Sequence, residues 1–328
     1  MAEAPQLEML WEVEDAHRAL ETRFGFGDPA SADRWVRTVL ERFWGVRARS
    51  CERIVISDRN ALAWVATPSG RLIAKWSVAP EVFPRLTAIA RLTSRLDAAG
   101  LPVSAPLPAL DGALQVEADG VSMFLQREIE AALLDTAEPD QVRAAGAVLA
   151  RLQDALASDP DPDRVAAAPR PQHSLPVRIA NWLESGAEHV PVMARDTLRR
   201  LVADAPTDAL PIQLGHFDFR SANILCAGAD VAAVIDFEQA RFDHRVVELA
   251  RSAVLLGTRY RQWGPSTSEV RAAFLAGYES VRALNAIEAA WWEILLLWHT
   301  LAFVPPGEDP TGWGSSALSH ARELAAGG

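Results

Sequence analysis

The feature that most constrains this fold is how strand-like and helix-like stretches segregate along the chain. Three short runs follow one another: "CERIVISD" (51–58), "ALAWVAT" (61–67) and "RLIAKWSV" (71–78). They are rich in Val, Ile, Leu and Trp. Ser57–Asn60 and Pro68-Ser69-Gly70 separate them, so they predict antiparallel strands. Residues 81–99 have helical spacing and stop at Gly100. A proline-rich connector, "GLPVSAPLPAL", leads to "GALQVEADGVSMFLQRE", a hairpin with Asp119-Gly120 at its turn. Residues 51–127 therefore predict five strands with one helix after the third.

Helical spacing dominates elsewhere. Residues 7–24 and 31–45 predict a helical N-terminal extension. From Ala137 onward, 138–157, about 175–189 and 193–203 predict helices, with "ASDPDPDRVAAAPRPQ" as a loop. Two short apolar strands, "NILC" and "VAAVIDF", interrupt this half around a Gly/Ala/Asp turn. The chain from 244 on is helical and tryptophan-rich, and Trp291, Trp292 and Trp298 read as core. Strands gathered in one stretch and helices in another predict an α+β fold. The division is an extension (1–50), a small β lobe (51–127) and a larger helical lobe (128–328). A length of 328 residues suits two lobes of roughly 100–200 residues.

The net charge of −11 argues against nucleic-acid binding, which needs basic surface. The acidic N-terminus lacks a secretory signal's cationic start and apolar core. The longest apolar run, "AAWWEILLLWHTLAFV", carries Glu293 and His299 and is shorter than the roughly 18 residues of a membrane span. Cys51 and Cys226 make no disulfide framework. A soluble cytoplasmic protein, a monomer or homodimer, is expected.

Chemistry concentrates in "GHFDFRSANILCAGADVAAVIDF". Asp218 and Asn223 share a loop, and Asp236 ends an apolar strand that can pair with "NILC". That pairing would bring two carboxylates and an amide oxygen to one end of a hairpin. Such oxygens suit Mg²⁺, which binds a couple of carboxylates and fills its shell with water and phosphate. Phosphoryl transfer needs a metal clamp, a base for the acceptor hydroxyl and a cation on the donor's phosphates. Asp218 can be the base, and Asn223 with Asp236 can hold Mg²⁺. Lys75, on the third strand, is the sole lysine of the chain among 32 Lys+Arg residues. Its ammonium is a compact point charge, unlike arginine's planar fork, and suits the α/β-phosphates.

These residues resemble the aminoglycoside phosphotransferase and choline kinase-like family, relatives of protein kinases. "GHFDFRSANIL" is similar to that family's H-x-D-x(4)-N catalytic loop, and "VIDFEQARFDHRVVELA" to its metal-binding stretch. "AAGAVLARLQDAL" resembles a family helix, with Gln153 in place of the usual His. "SDRNALAWVATPSGRLIAKW" resembles the nucleotide-covering hairpin and the strand with its lysine. The resemblance spans about 51–255. It implies a bilobal protein-kinase-like fold, a hinge at 126–133 that meets adenine, and transfer of the γ-phosphate of ATP, or GTP, to a small-molecule hydroxyl. It further implies a phosphate contact for Arg220, two residues after Asp218, and bracing roles for His216, Asp243 and Glu248. Ser57 and Asn60 would help cradle the nucleotide.

The sequence departs from the pattern twice. The helix after the third strand has no carboxylate from Val82 to Leu96, so Lys75 would be oriented by Glu81, by Asp97 or by a group of the other lobe. The covering turn, "ISDRNAL", has no glycine. Other readings are an inactive nucleotide-binding module, a choline- or homoserine-type metabolite kinase, and a metal-dependent hydrolase using His216, Asp218 and Asp236. From Gln262 to the end there are seven acidic and three basic residues, which fits a cationic acceptor such as an amino sugar or aminoglycoside-type antibiotic.

Overall fold

In the computed structural model, which describes residues 4–185, 187–206, 210–261 and 263–326, the chain divides into two units, Met1–Glu130 and Ala131–Gly328. The first unit contains β1 (Gln6–Met9), α1 (Ala16–Phe24), α2 (Pro29–Trp44), β2 (Ser50–Ile56), β3 (Asn60–Thr67) and β4 (Gly70–Ser77). It continues with α3 (Phe83–Ala98), β5 (Val116–Ala118) and β6 (Val121–Arg127). The strands form one sheet in the order β1-β2-β3-β4-β6-β5. All pairings are antiparallel except β1 with β2. The five strands between 50 and 127, with a helix after the third, match the sequence expectation.

The edge strand β1 corrects that expectation. Residues 7–9 lie in a strand, and the helix begins only at Ala16. Leu7 and Met9 alternate as well as they fit a helix, and so short a run does not separate the two periods. The helix start is set locally instead, by Asp15, whose carboxylate accepts the Arg18 N–H at 2.8 Å. In α2, Asp28 and Ser31 cap each other's N–H groups and Pro29 occupies the first turn, where no donor is needed.

Alternation along the sheet decides its two faces. Ala61, Ala63, Val65, Leu72, Ala74, Trp76, Met123 and Leu125 are buried in one cluster with Leu20, Phe24, Val36 and Leu40 of α1 and α2. Trp76 meets Phe24 and Trp35 edge-on, with ring centroids 6.4 and 5.8 Å apart. The N-terminal helices therefore cover one sheet face and share its core. The opposite face carries the alternate residues Leu62, Trp64, Ile73, Lys75 and Phe124.

The second unit contains β7 (Ala132–Leu133), α4 (Pro139–Ala157), α5 (Pro162–Val165), α6 (Leu175–Glu184), α7 (Val192–Ala203), β8 (Ile212–Gly215), β9 (Ile224–Ala227) and β10 (Asp230–Val234). It ends with β11 (Arg241–His244), α8 (Arg245–Leu255), α9 (Ser268–Glu279), α10 (Ala286–Ala302) and α11 (Trp313–Ala326). The helix expected over 175–189 ends at Glu184, and a 3₁₀ turn spans Ala187–His189; Gly186 lies outside the described residues. Helices α4 and α9 touch backbone to backbone. A Cβ on Gly146 would lie 2.1 Å from the Phe274 carbonyl oxygen, and one on Gly277 2.0 Å from that of Arg143. Trp291 and Trp292 are buried and Trp298 is half-buried. Cys51 and Cys226 are free and buried, and burial pushes the Cys51 thiol up to about 12. Among the described residues no helix is long and apolar enough to cross a membrane.

Candidate active site

Strand β8 ends at Gly215, and the loop 216–223 connects it to β9. Glu248, on the first turn of α8, lies beneath this loop with 1% exposure. Its Oε1 accepts the N–H groups of His216 and Phe217 at 2.5 and 2.8 Å. Its Oε2 accepts from Gln153 Nε2 at 2.8 Å. Gln153 donates also to the Arg245 carbonyl and accepts from the Tyr278 hydroxyl at 2.7 Å. A buried charge is tolerable when its lone pairs are satisfied in this way. Gly215 has no room for a side chain, because a Cβ would lie 2.5 Å from Glu248 Oε2.

His216 ties the loop to the next strand. Its Nδ1 accepts the Asp218 N–H at 3.1 Å, so Nε2 carries the hydrogen that it donates to the Ile235 carbonyl at 3.0 Å. Both ring nitrogens are spent on backbone. His216 is thus a brace, and the hydrolase reading that used it as a metal ligand loses its histidine.

Asp218 and Asn223 meet directly. Asn223 Nδ2 donates to Asp218 Oδ2 at 2.5 Å and to the Asp218 carbonyl at 2.9 Å. With its amide nitrogen so engaged and the residue 2% exposed, Asn223 has no hydrogen bond on Oδ1 among the described residues. Asp236 follows β10, one residue past Ile235, whose N–H donates to the Asn223 carbonyl at 3.0 Å. It is exposed, with φ of 64°, a left-handed conformation that ends the strand and is uncommon outside glycine. The β9–β10 pairing, Ile224 opposite Val234, brings Asn223 and Asp236 to one end of the hairpin. An amide oxygen and two carboxylates are hard oxygen donors of the type Mg²⁺ takes, so the residues present fit that ion.

Arginines crowd the other side of the loop. Arg220 Nε donates to Asp218 Oδ1 at 2.8 Å, and its Nη1 is buried with no partner among the described residues. Its guanidinium lies 5.0 Å from the Trp263 ring centroid. Arg178 forms a two-pronged pair with Asp243, at 2.7 and 2.6 Å. Arg241 lies over the Phe217 ring at 4.3 Å. Arg251 donates from Nε to the Phe217 carbonyl at 3.2 Å. Burial, then neighbouring Arg241, bring Arg251 down to about 10, and burial lowers Arg241 too.

His299 of α10 is buried near these arginines, its Nε2 3.2 Å from the Val247 carbonyl. Burial first, then Arg251, hold it near 3 instead of the ordinary 6.5. It is neutral in the fold and charges on unfolding below 6.5, so stability is unaffected above that pH. Between about 6.5 and 3 this group should cost ~1.4 kcal/mol per pH unit. Denaturant melts from pH 4 to 8 should show His299→Gln with a flatter acid limb than the parent. An unchanged slope would assign acid sensitivity elsewhere.

In the first unit, Lys75 is half-buried on β4, opposite Leu62 of β3 and Phe124 of β6. Glu81, one of the two carboxylates flanking α3, pairs with Arg59 at 2.9 Å. The Ser57–Asn60 turn closes on itself: the Asn60 carbonyl accepts the Ser57 N–H at 2.9 Å and its hydroxyl at 3.2 Å.

The sequence model of the phosphotransferase enzyme family, APH, matches residues 55–322. The chain belongs to that family. It is a phosphotransferase, a small-molecule kinase with a protein-kinase-like fold. The homoserine kinase of Neisseria meningitidis serogroup B is 27% identical over 259 residues, covering 74% of this chain and 77% of that protein. A spectinomycin phosphotransferase solved with ADP and spectinomycin superposes with a TM-score of 0.59 at 14% identity, covering 88% of this chain and 89% of the other. A macrolide 2′-phosphotransferase from Brachybacterium faecium gives 0.58 at 18% identity, covering 89% and 96%.

Sequence reasoning did not single out Arg241, Arg251 or Tyr278 in this phosphotransferase. The signal available was the density of arginine between 241 and 251, inside the segment that carries the motif. Three of the seven acidic residues after Gln262 have structural partners. Glu288 pairs with Arg245, Glu293 with His320, and Asp309 accepts the N–H groups of Gly312, Trp313 and Gly314. These three carboxylates hold the helical unit together, which weakens the sequence argument for a cationic acceptor.

Proposed function

We propose that this kinase transfers the γ-phosphoryl group of ATP, or of GTP, to a hydroxyl of a small molecule, with Asp218 as the base. The observation that carries the reading is the joined set around Asp218. Asn223 holds its carboxylate, and His216 ties its backbone to the residue before Asp236. A base that accepts two hydrogen bonds is held in one orientation, and positioning supplies most of the catalysis in phosphoryl transfer.

Asn223 and Asp236 are read as the residues that hold Mg²⁺, which when bound neutralises phosphate charge. Arg220 is read as a γ-phosphate contact, supported by its buried Nη1, which has no acceptor among the described residues. Lys75 is read as the cation for the α/β-phosphates, supported by the apolar face around it. Ser57 and Asn60 are read as part of the nucleotide cradle, through backbone groups of their turn, since the Ser57 hydroxyl is engaged within it. Residues 126–133 are read as the adenine hinge. The joined Asp218, Asn223 and Asp236 speak against an inactive module. The homoserine kinase relative favours a metabolite acceptor over an antibiotic.

Coupled ADP-release assays with Mg-ATP and Mg-GTP over amino alcohols, hydroxy amino acids, amino sugars and macrolides test the activity. Asp236→Ala should raise the Mg²⁺ needed for nucleotide binding by about tenfold or more, because a charged ligand is lost. Asn223→Ala, losing a neutral ligand, should raise it less. Unchanged Mg²⁺ dependence in Asp236→Ala would remove Asp236 from the metal site.

A further inference from the structure

The arginines around the catalytic loop are not equally paired. Of four arginines there, two have carboxylates: Arg178 pairs with Asp243 and Arg220 with Asp218. Arg241 and Arg251 have none within ion-pair distance among the described residues. Glu248 is enclosed and its oxygens are taken by His216, Phe217 and Gln153.

Both unmatched guanidiniums are anchored on Phe217, the residue before Asp218. Arg241 covers the ring, and register sets it there, since β11 pairs Arg241 with Gly215 of β8. Arg251 uses only Nε on the Phe217 carbonyl, and its other nitrogens donate to nothing in the protein among the described residues. Partly buried, unpaired cations cost free energy that an anionic ligand would recover. Trp263, 43% exposed beside Arg220, offers an apolar wall on the same side.

We infer that Arg241 and Arg251 form an anion-binding pair beside Asp218, and that the hydroxyl acceptor of this kinase carries a carboxylate held by them. The inference rests on the phosphotransfer reading above and narrows its acceptor: a hydroxy acid or hydroxy amino acid, in place of the cationic acceptor suggested by overall charge. The same chemistry could serve a donor phosphate, so the test separates the two.

Homoserine, serine and 4-hydroxybutyrate are each assayed beside their carboxamides, with ethanolamine and an aminoglycoside as cationic acceptors. The acid should exceed its amide by at least tenfold in kcat/KM. Arg241→Gln and Arg251→Gln should each raise acceptor KM by about 10- to 100-fold, with nucleotide KM and melting temperature nearly unchanged. Arg241→Lys should recover part of the loss. If none of the acids is turned over, calorimetry of the same acids with the enzyme loaded with a non-hydrolysable ATP analogue decides. Binding weakened in both Gln variants supports the proposal, and no acid binding at 10 mM overturns it. Equal use of acid and amide, preference for a cationic acceptor, or a rise confined to nucleotide KM would each overturn it while leaving the kinase reading intact. Absence of nucleotide binding in the parent would sink the kinase reading itself.

Discussion

Asp218→Ala is expected to lower turnover by about 10²–10⁴-fold, the usual contribution of a general base, while nucleotide binding persists. The substitution removes the acceptor of the Arg220 Nε–H and of the Asn223 amide, so some loss of order in the loop is expected as well. Asp218→Asn separates the two effects. It preserves shape and one of the two accepting oxygens but cannot take the proton from the acceptor hydroxyl, so its turnover should fall nearly as far. Steady-state ADP release gives turnover, and thermal shift with Mg-ATP gives binding. Near-parental turnover in Asp218→Asn would remove Asp218 from the role of base.

Gly277→Ala should cause the largest loss of stability from a single methyl group. In an exposed helix, Gly→Ala stabilises by about 1 kcal/mol. Here the new Cβ would lie 2.0 Å from the Arg143 carbonyl oxygen and 2.7 Å from its carbon. Those are backbone atoms of α4 and have no rotamer to change. Overpacking costs about 1–3 kcal/mol where side chains can yield, and more where they cannot. Separation of α4 from α9 should therefore win, with a net loss of roughly 3 kcal/mol. For a unit of this size that is on the order of 6–12 °C in melting temperature. Gln153 on α4 and Tyr278 on α9 meet across the same pair of helices, so the catalytic loop should loosen with it. A variant as stable as the parent would show that the helices can part cheaply.

The strands between 50 and 127 were readable because each is short, rich in β-branched or aromatic residues, and bounded by turn residues. The catalytic segment was readable because its chemistry sits in a few closely spaced residues: Asp218 and Asn223 lie five apart, and Asp236 ends the next strand. Residues 7–9 were misread because a helix and a strand place Leu7 and Met9 almost equally well over one turn. Pairing with Arg53–Ile56 of β2 decided it.

By itself the sequence determined the order of the strands and helix between 50 and 127, the loop that carries Asp218 and Asn223 with the hairpin after it, and the position of Lys75 on its strand. Those are local properties, set by periodicity, turn chemistry and spacing. Only the tertiary structure decided which charges cancel. Glu288 and Glu293 look available along the chain, yet Arg245 and His320 consume them from elements 43 and 27 residues away. Arg241 and Arg251 look like ordinary arginines along the chain, yet packing gathers them at Phe217 with no carboxylate within ion-pair distance among the described residues. Net charge is a sum over the sequence, whereas an acceptor site responds to what remains unpaired within a few ångströms. That remainder depends on contacts between residues far apart in the chain.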